Sequence, residues 1–155
     1  MGEKIEICEK CIDLHITEND CKSVLNYLTG LMVRQGYVDE IYAEKIYERE
    51  QKYPTGLQFE NIAIALPHGD SDYVKESGIA VGKCNPKPVF RSMEDAETEI
   101  SVDLVVLLAV KNPETHLTVL NNLMEMFSEQ EKCEKILSAD EKEICKIFGE
   151  SLYLE

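Results

Sequence analysis

Short unbroken apolar runs and stripes of apolar residues at helical spacing alternate along this chain. The first pattern covers residues 10–16 (KCIDLHI), where Ile12, Leu14 and Ile16 oppose Cys11, Asp13 and His15. Period two predicts a half-buried strand with His15 on its outer side. Thr17, with Asp20 three residues later, is the expected cap of a helix aligning Val24, Leu28 and Leu31 beside Leu25 and Met32, with Gly36 as its stop. A second helix is expected from Asp39 to about Tyr53, with the stripe Val38, Ile41, Tyr42 and Ile46. Extending that stripe at 3.6 residues per turn brings Arg49 to the inward face of the last turn.

Five apolar residues, Ile62 to Leu66, then run into Pro67-His68-Gly69. A short β-branched run closed by proline and glycine predicts a buried strand ending in a tight turn, with a histidine at the turn. Ile79 to Gly82 is a further short strand, Val89-Phe90 pairs at an edge, and residues 91–99 form a polar surface loop. The longest apolar run, Leu104 to Val110, predicts a central strand covered on both faces. Asn112 as N-cap and Pro113 as first helical residue start a helix whose inward stripe is His116, Leu120, Leu123 and Phe127. Two short amphipathic helices follow. One, introduced by Ser128, carries Cys133, Ile136 and Leu137; the other, introduced by Ser138 or Asp140, carries Ile144, Ile147 and Phe148. Strands alternating with helices predict one layered α/β domain over residues 1–155.

Composition narrows the function. With 44% hydrophobic and 30% charged residues in 155, the chain reads as an ordinary globular domain. No apolar run approaches the roughly 18 residues of a membrane helix, and MGEKIEICEK lacks a signal-peptide apolar core. A cytoplasmic location is therefore expected. A net charge of −14, from 30 acids against 16 bases, argues against nucleic acid as a partner. It suits a basic protein partner, and equally a surface kept acidic for solubility. Cys8-x-x-Cys11 with His15 is half a zinc site, but no second spaced pair completes it among the six cysteines. Reduced thiols, without metal or other cofactor, are the expectation.

Candidate chemistry centres on His68, which a buried strand delivers to a rigid turn. Arg49 has a structural use near a helix C-terminus and a functional one as an anion clamp for that turn. His116, at the start of a helix after a central strand, is either a packing residue or part of an anion site. Asp70 and Asp72 are placed to orient the His68 imidazole.

Taken together, Arg49-Glu50, Pro54-Thr55-Gly56, Pro67-His68-Gly69, the VDLVVLLAV run and His116-Leu117 resemble the enzyme IIA domain of the fructose/mannitol type. That domain belongs to the bacterial phosphoenolpyruvate-dependent sugar phosphotransferase system, and the resemblance runs from about residue 15 to residue 148. The Thr55-Gly56-Leu57-Gln58 stretch and the length are most similar to the galactitol type. The resemblance implies a phosphotransferase/anion transport protein-like fold, a three-layer α/β/α sandwich with a mixed sheet. It implies that His68 accepts a phosphoryl group from the phosphocarrier HPr and passes it to a cysteine of the IIB component, which serves a membrane IIC component. It also implies that Arg49 neutralises the phosphoryl charge and His116 hydrogen-bonds it. Ile62-Ala63-Ile64-Ala65-Leu66 is longer than the family's usual stretch before Pro67, so a bulge or register shift is expected there. Two other readings remain at this stage. One is a regulatory IIA-like sensor that docks a partner without feeding a transporter; the other is a metal hydrolase using His68, His116, Asp70 and Asp72.

Overall fold

In a computed structural model describing residues 5–152, the Leu104 to Val110 run sits at the centre of a mixed sheet. The chain forms β1 (Glu6–Ile16), α1 (Cys21–Arg34), α2 (Tyr42–Lys52), β2 (Gly56–Gln58), β3 (Ala63–Ala65), β4 (Gly78–Cys84), β5 (Val89–Arg91), β6 (Glu99–Ser101) and β7 (Leu104–Ala109). Helices α3 (Pro113–Phe127), α4 (Gln130–Ser138) and α5 (Glu141–Ser151) complete it. Within the described residues the main sheet has five strands in the order β1-β4-β7-β3-β2. β7 runs antiparallel to β4 and parallel to β3, β1 runs parallel to β4, and β2 antiparallel to β3.

Every position of β7 is buried, because each face of the sheet carries a helical layer. Leu104, Val106 and Leu108 join a cluster with Val119 and Leu123 of α3, Ile136 of α4 and Ile144 and Phe148 of α5. Val105, Leu107 and Ala109 join the opposite cluster, with Leu25, Leu28 and Met32 of α1 and Tyr42 and Ile46 of α2. This is the expected three-layer α/β/α arrangement. Each fully buried leucine or isoleucine contributes roughly 1.5–3 kcal/mol of burial.

Several local expectations change. β1 begins at Glu6 and is half-buried as expected, but Cys11, read as outward, is fully buried against the α1 layer, while Ile12 packs on the α5 side. Irregularities in its pairing with β4 put Ile12 and Ile16 in opposite layers, so strict alternation fails. His15 is on the surface as expected, its side chain 88% exposed. The cap of α1 is Asp20 rather than Thr17, its carboxylate accepting the Ser23 amide at 2.9 Å, and Gly36 ends the segment at φ +83°. α4 is introduced by Glu129, Ser128 instead closing α3, whereas Asp140 opens α5 with a full capping box to Glu143. Residues 91–99 form the expected polar, largely exposed loop, with Arg91 and Glu99 at its ends pairing in a β5–β6 hairpin that buries Phe90 and Ile100. No bulge or slip occurs before Pro67. β2 and β3 pair in continuous register, Gly56 with Ala65 through Gln58 with Ala63, and the Phe59 amide closes the turn on the Ile62 carbonyl at 2.9 Å.

Candidate functional site

The parallel pairing of β3 and β7 places their carboxyl ends at one edge of the sheet. The turn after β3 carries His68, and the helix after β7 carries His116 in its first turn. In an open α/β sheet such an edge is where ligands bind. The two imidazoles meet there edge to face, with ring centroids 4.5 Å apart at 83°.

The His68 turn is anchored on several sides. The Leu108 amide donates to the Pro67 carbonyl at 2.9 Å, extending the β7 ladder to His68. Buried Tyr42 donates its hydroxyl to the Leu108 carbonyl at 2.7 Å and accepts the Gly69 amide at 3.0 Å. A Cβ at position 69 would lie 3.1 Å from the Tyr42 ring, a contact tight enough that glycine fits there without displacing the ring. His68 Nδ1 lies 2.8 Å from the Leu66 carbonyl. A carbonyl only accepts, so Nδ1 carries the proton and Nε2 keeps its lone pair. Asp70 and Asp72 take no part in orienting the ring. Asp70 instead caps a short 3₁₀ turn at Ser71–Tyr73, accepting the Asp72 amide at 3.0 Å.

Burial holds the His68 pKa below the usual histidine range, and the nearby Arg49 cation acts in the same direction. His116 is pushed down to about 4, first by burial and then by His68 and Arg49. Both rings are therefore neutral at pH 7. His116 Nε2 is buried without a protein partner, an orphaned polar atom beside the His68 ring.

Arg49 is near the site but does not point inward. It is exposed at the end of α2, its guanidinium 5.3 Å from the centre of the Tyr53 ring. The helix phase explains the difference. α2 begins only at Tyr42, its buried positions are Tyr42, Ile46 and Glu50, and Ile41 is exposed. Continuing from 42 by fours reaches Glu50, so the acid is buried and the arginine faces solvent. Arg49 lines a groove with Lys45, Lys52, Tyr53 and Asp70.

Sequence reasoning missed the burial of Glu50. Its carboxylate accepts the Thr55 amide at 2.8 Å and the Thr55 hydroxyl at 2.9 Å. Burial pushes its pKa up to about 7, against the lowering effect of those two bonds. An acid continuing an apolar stripe, with Pro-Thr soon after, was the available signal. In the Cys8–Cys11–His15 grouping burial pushes the Cys11 thiol up to about 12, and His15 reaches out to Glu141 at 3.9 Å. Among the described residues no three His, Cys, Asp or Glu side chains converge as metal ligands, which leaves the hydrolase reading without a ligand set.

The geometry is matched by sequence relationships. Residues 7–151 match the family model described as "Phosphoenolpyruvate-dependent sugar phosphotransferase system, EIIA 2". The galactitol-specific EIIA component of Escherichia coli K12 is 28% identical over 129 residues, spanning 83% of this chain and 85% of that protein. The mannitol-specific IIA component of Bacillus subtilis is 30% identical over 148 residues, spanning 93% and 96%. The fold is also that of Escherichia coli IIA mannitol in its solution complex with phosphorylated IIB mannitol, with a TM-score of 0.74 and 23% identity over 92% of this chain and 96% of that one. This chain belongs to the EIIA type 2 family of the phosphoenolpyruvate-dependent sugar phosphotransferase system, whose members are phosphotransferases working through a phosphohistidine.

Proposed function

We propose that His68 is the phosphoryl acceptor, taking the group from HPr and passing it to a IIB component in uptake of a sugar alcohol of the galactitol type. The observation that carries this reading is the pairing of Nδ1 with the Leu66 carbonyl, which leaves Nε2 as the nucleophile. The Nε2 lone pair forms the new N–P bond as the bond between phosphorus and donor breaks, and Nδ1 keeps its proton throughout. Phosphoryl transfer asks chiefly for alignment and charge stabilisation. His116, neutral and with Nε2 unpartnered, supplies an N–H donor to a phosphoryl oxygen. Arg49 supplies positive charge from the rim, leaving Tyr53 when the phosphoryl group arrives. These steps belong in the cytoplasm, with IIB handing the group on toward a membrane IIC component.

Incubation with phosphoenolpyruvate, enzyme I and HPr should give an acid-labile phosphoryl adduct that disappears in His68→Ala. Unchanged labelling of that variant would end the proposal. Chase with galactitol-type and mannitol-type IIB proteins then assigns the sugar. Normal labelling with no IIB able to discharge it would favour the regulatory reading.

A further inference from the structure

Behind the His68 turn lies a buried carboxylate to which phosphoryl transfer assigns no part. Glu50 is 5% exposed and holds Thr55 at two points, the amide through Oε2 and the hydroxyl through Oε1. Thr55 in turn receives the Leu66 amide on both of its own oxygens, the carbonyl at 3.3 Å and the hydroxyl at 3.2 Å. The Leu66 carbonyl then accepts Nδ1–H of His68. An unbroken path of hydrogen bonds thus joins Glu50 to the reactive imidazole.

We propose that Glu50 is a positioning residue for phosphoryl transfer, clamping Leu66 through Thr55 so that the Leu66 carbonyl fixes the tautomer and tilt of His68. This rests on the reading of His68 as the acceptor. The effect is geometric rather than electronic. The N–H and C=O of Leu66 belong to different peptide groups, so charge on Glu50 is not relayed through one amide. What is passed on is place: Leu66 is held at its amide, and its carbonyl follows.

A burial argument points the same way. Glu50 follows Tyr42 and Ile46 on the inner stripe of α2, where an apolar residue would serve packing alone. A buried carboxylate carries a desolvation cost that an apolar residue avoids. Its two bonds to Thr55 offset part of that cost and give the Thr55 hydroxyl one defined direction, leaving its lone pairs toward the Leu66 amide. Leu108 anchors Pro67, and Tyr42 anchors Gly69. Glu50 and Thr55 add the anchor for the residue that touches the His68 ring.

The test separates position from charge and from fold. Glu50→Ala and Thr55→Val should lower the phosphorylation rate at saturating phospho-HPr on the order of 10–100-fold, since about 1 Å of misplacement costs on that scale. KM for HPr should stay within about twofold, because the docking surface is untouched. Thr55→Ser keeps both hydrogen bonds and should remain within about threefold of wild type, while Glu50→Gln, which can still accept the Thr55 amide but must donate to the Thr55 hydroxyl, should fall between wild type and Glu50→Ala. Nitrogen-15 NMR of the His68 ring should show one Nδ1–H tautomer in the wild type and a mixture in Glu50→Ala. Thr55→Val is near-isosteric and tests the clamp should Glu50→Ala not fold. Wild-type rates with a fixed tautomer in a folded Glu50→Ala or Thr55→Val would overturn the clamp. So would a loss in Glu50→Gln equal to that in Glu50→Ala, or a loss confined to KM. Should the wild type itself not label at His68, the acceptor reading fails instead, and the tautomer measurement still judges the clamp.

Discussion

Burial moves Glu50 and His116 in opposite directions. Glu50 rises from 4.5 to about 7, and His116 falls from 6.5 to about 4. A carboxylate with a raised folded-state pKa stabilises the fold when protonated, and that stability is lost as pH rises from about 4.5 to 7. An imidazole with a depressed pKa does the reverse: its unfolded form takes up the proton first, so stability is lost as pH falls from about 6.5 to 4. For Glu50, at 1.36 kcal/mol per pKa unit, the effect is about 3 kcal/mol. Between pH 4.5 and 6.5 the two largely offset one another. Thermal midpoints followed by circular dichroism should therefore rise more steeply with pH in Glu50→Gln than in wild type, and turn downward in His116→Gln. Parallel profiles in all three proteins would contradict the assignment. These residues also mark what can be read from a sequence. His68 was legible because proline and glycine fix its turn, and His116 because Asn112-Pro113 starts a helix directly after a central strand, although the stripe α3 buries is Thr115, Val119 and Leu123, leaving His116 and Leu120 half-buried. Glu50 was not, because an acid ordinarily signals solvent, and Thr55, though only five residues on, counts as a partner only once the turn after α2 is known.

At the level of elements, the site depends on two strands pairing in parallel and each delivering a histidine at the same edge. The existence of β3, β7 and α3 followed from apolar runs and from Asn112-Pro113, but which strands are neighbours did not. Order and direction come from how the two helical layers pack, an outcome of long-range burial. Caps were ambiguous where several acceptors stood close together, as with Thr17 and Asp20, since either can meet free amides. β5 was expected from Val89-Phe90, but its partner β6 was not, because a three-residue strand that buries one residue is too short for periodicity to register. Asp140 is the best separable contributor, closing a capping box far in sequence from the histidines. Replacing it with alanine should lower stability by about 1 kcal/mol in urea titration and leave phosphoryl transfer at the wild-type rate. A loss of transfer in that folded variant would tie α5 to the site.

For the molecule as a whole, charge is uneven. The chain carries −14, yet the groove that Arg49 lines gathers Lys45 and Lys52 as well, against Glu48 and Asp70. Charge interactions beyond a Debye length, about 10 Å at 0.1 M salt, are screened, so the net charge steers a partner only within roughly that range and less far as salt rises. A basic donor such as HPr should therefore phosphorylate the protein several-fold more slowly, per unit concentration, at 300 mM than at 50 mM salt, with the saturated rate unchanged. A salt-independent encounter would refute steering. Arg49, resting on the exposed Tyr53 ring, has one more consequence. A protein that hands a group onward must not become its thermodynamic resting place. An arginine enclosed beside His68 would bind the phosphoryl group tightly in low dielectric and deepen the well from which the next partner must lift it. One that stays in water offers weak, adjustable attraction, so the energy carried in the N–P bond remains available to the next acceptor.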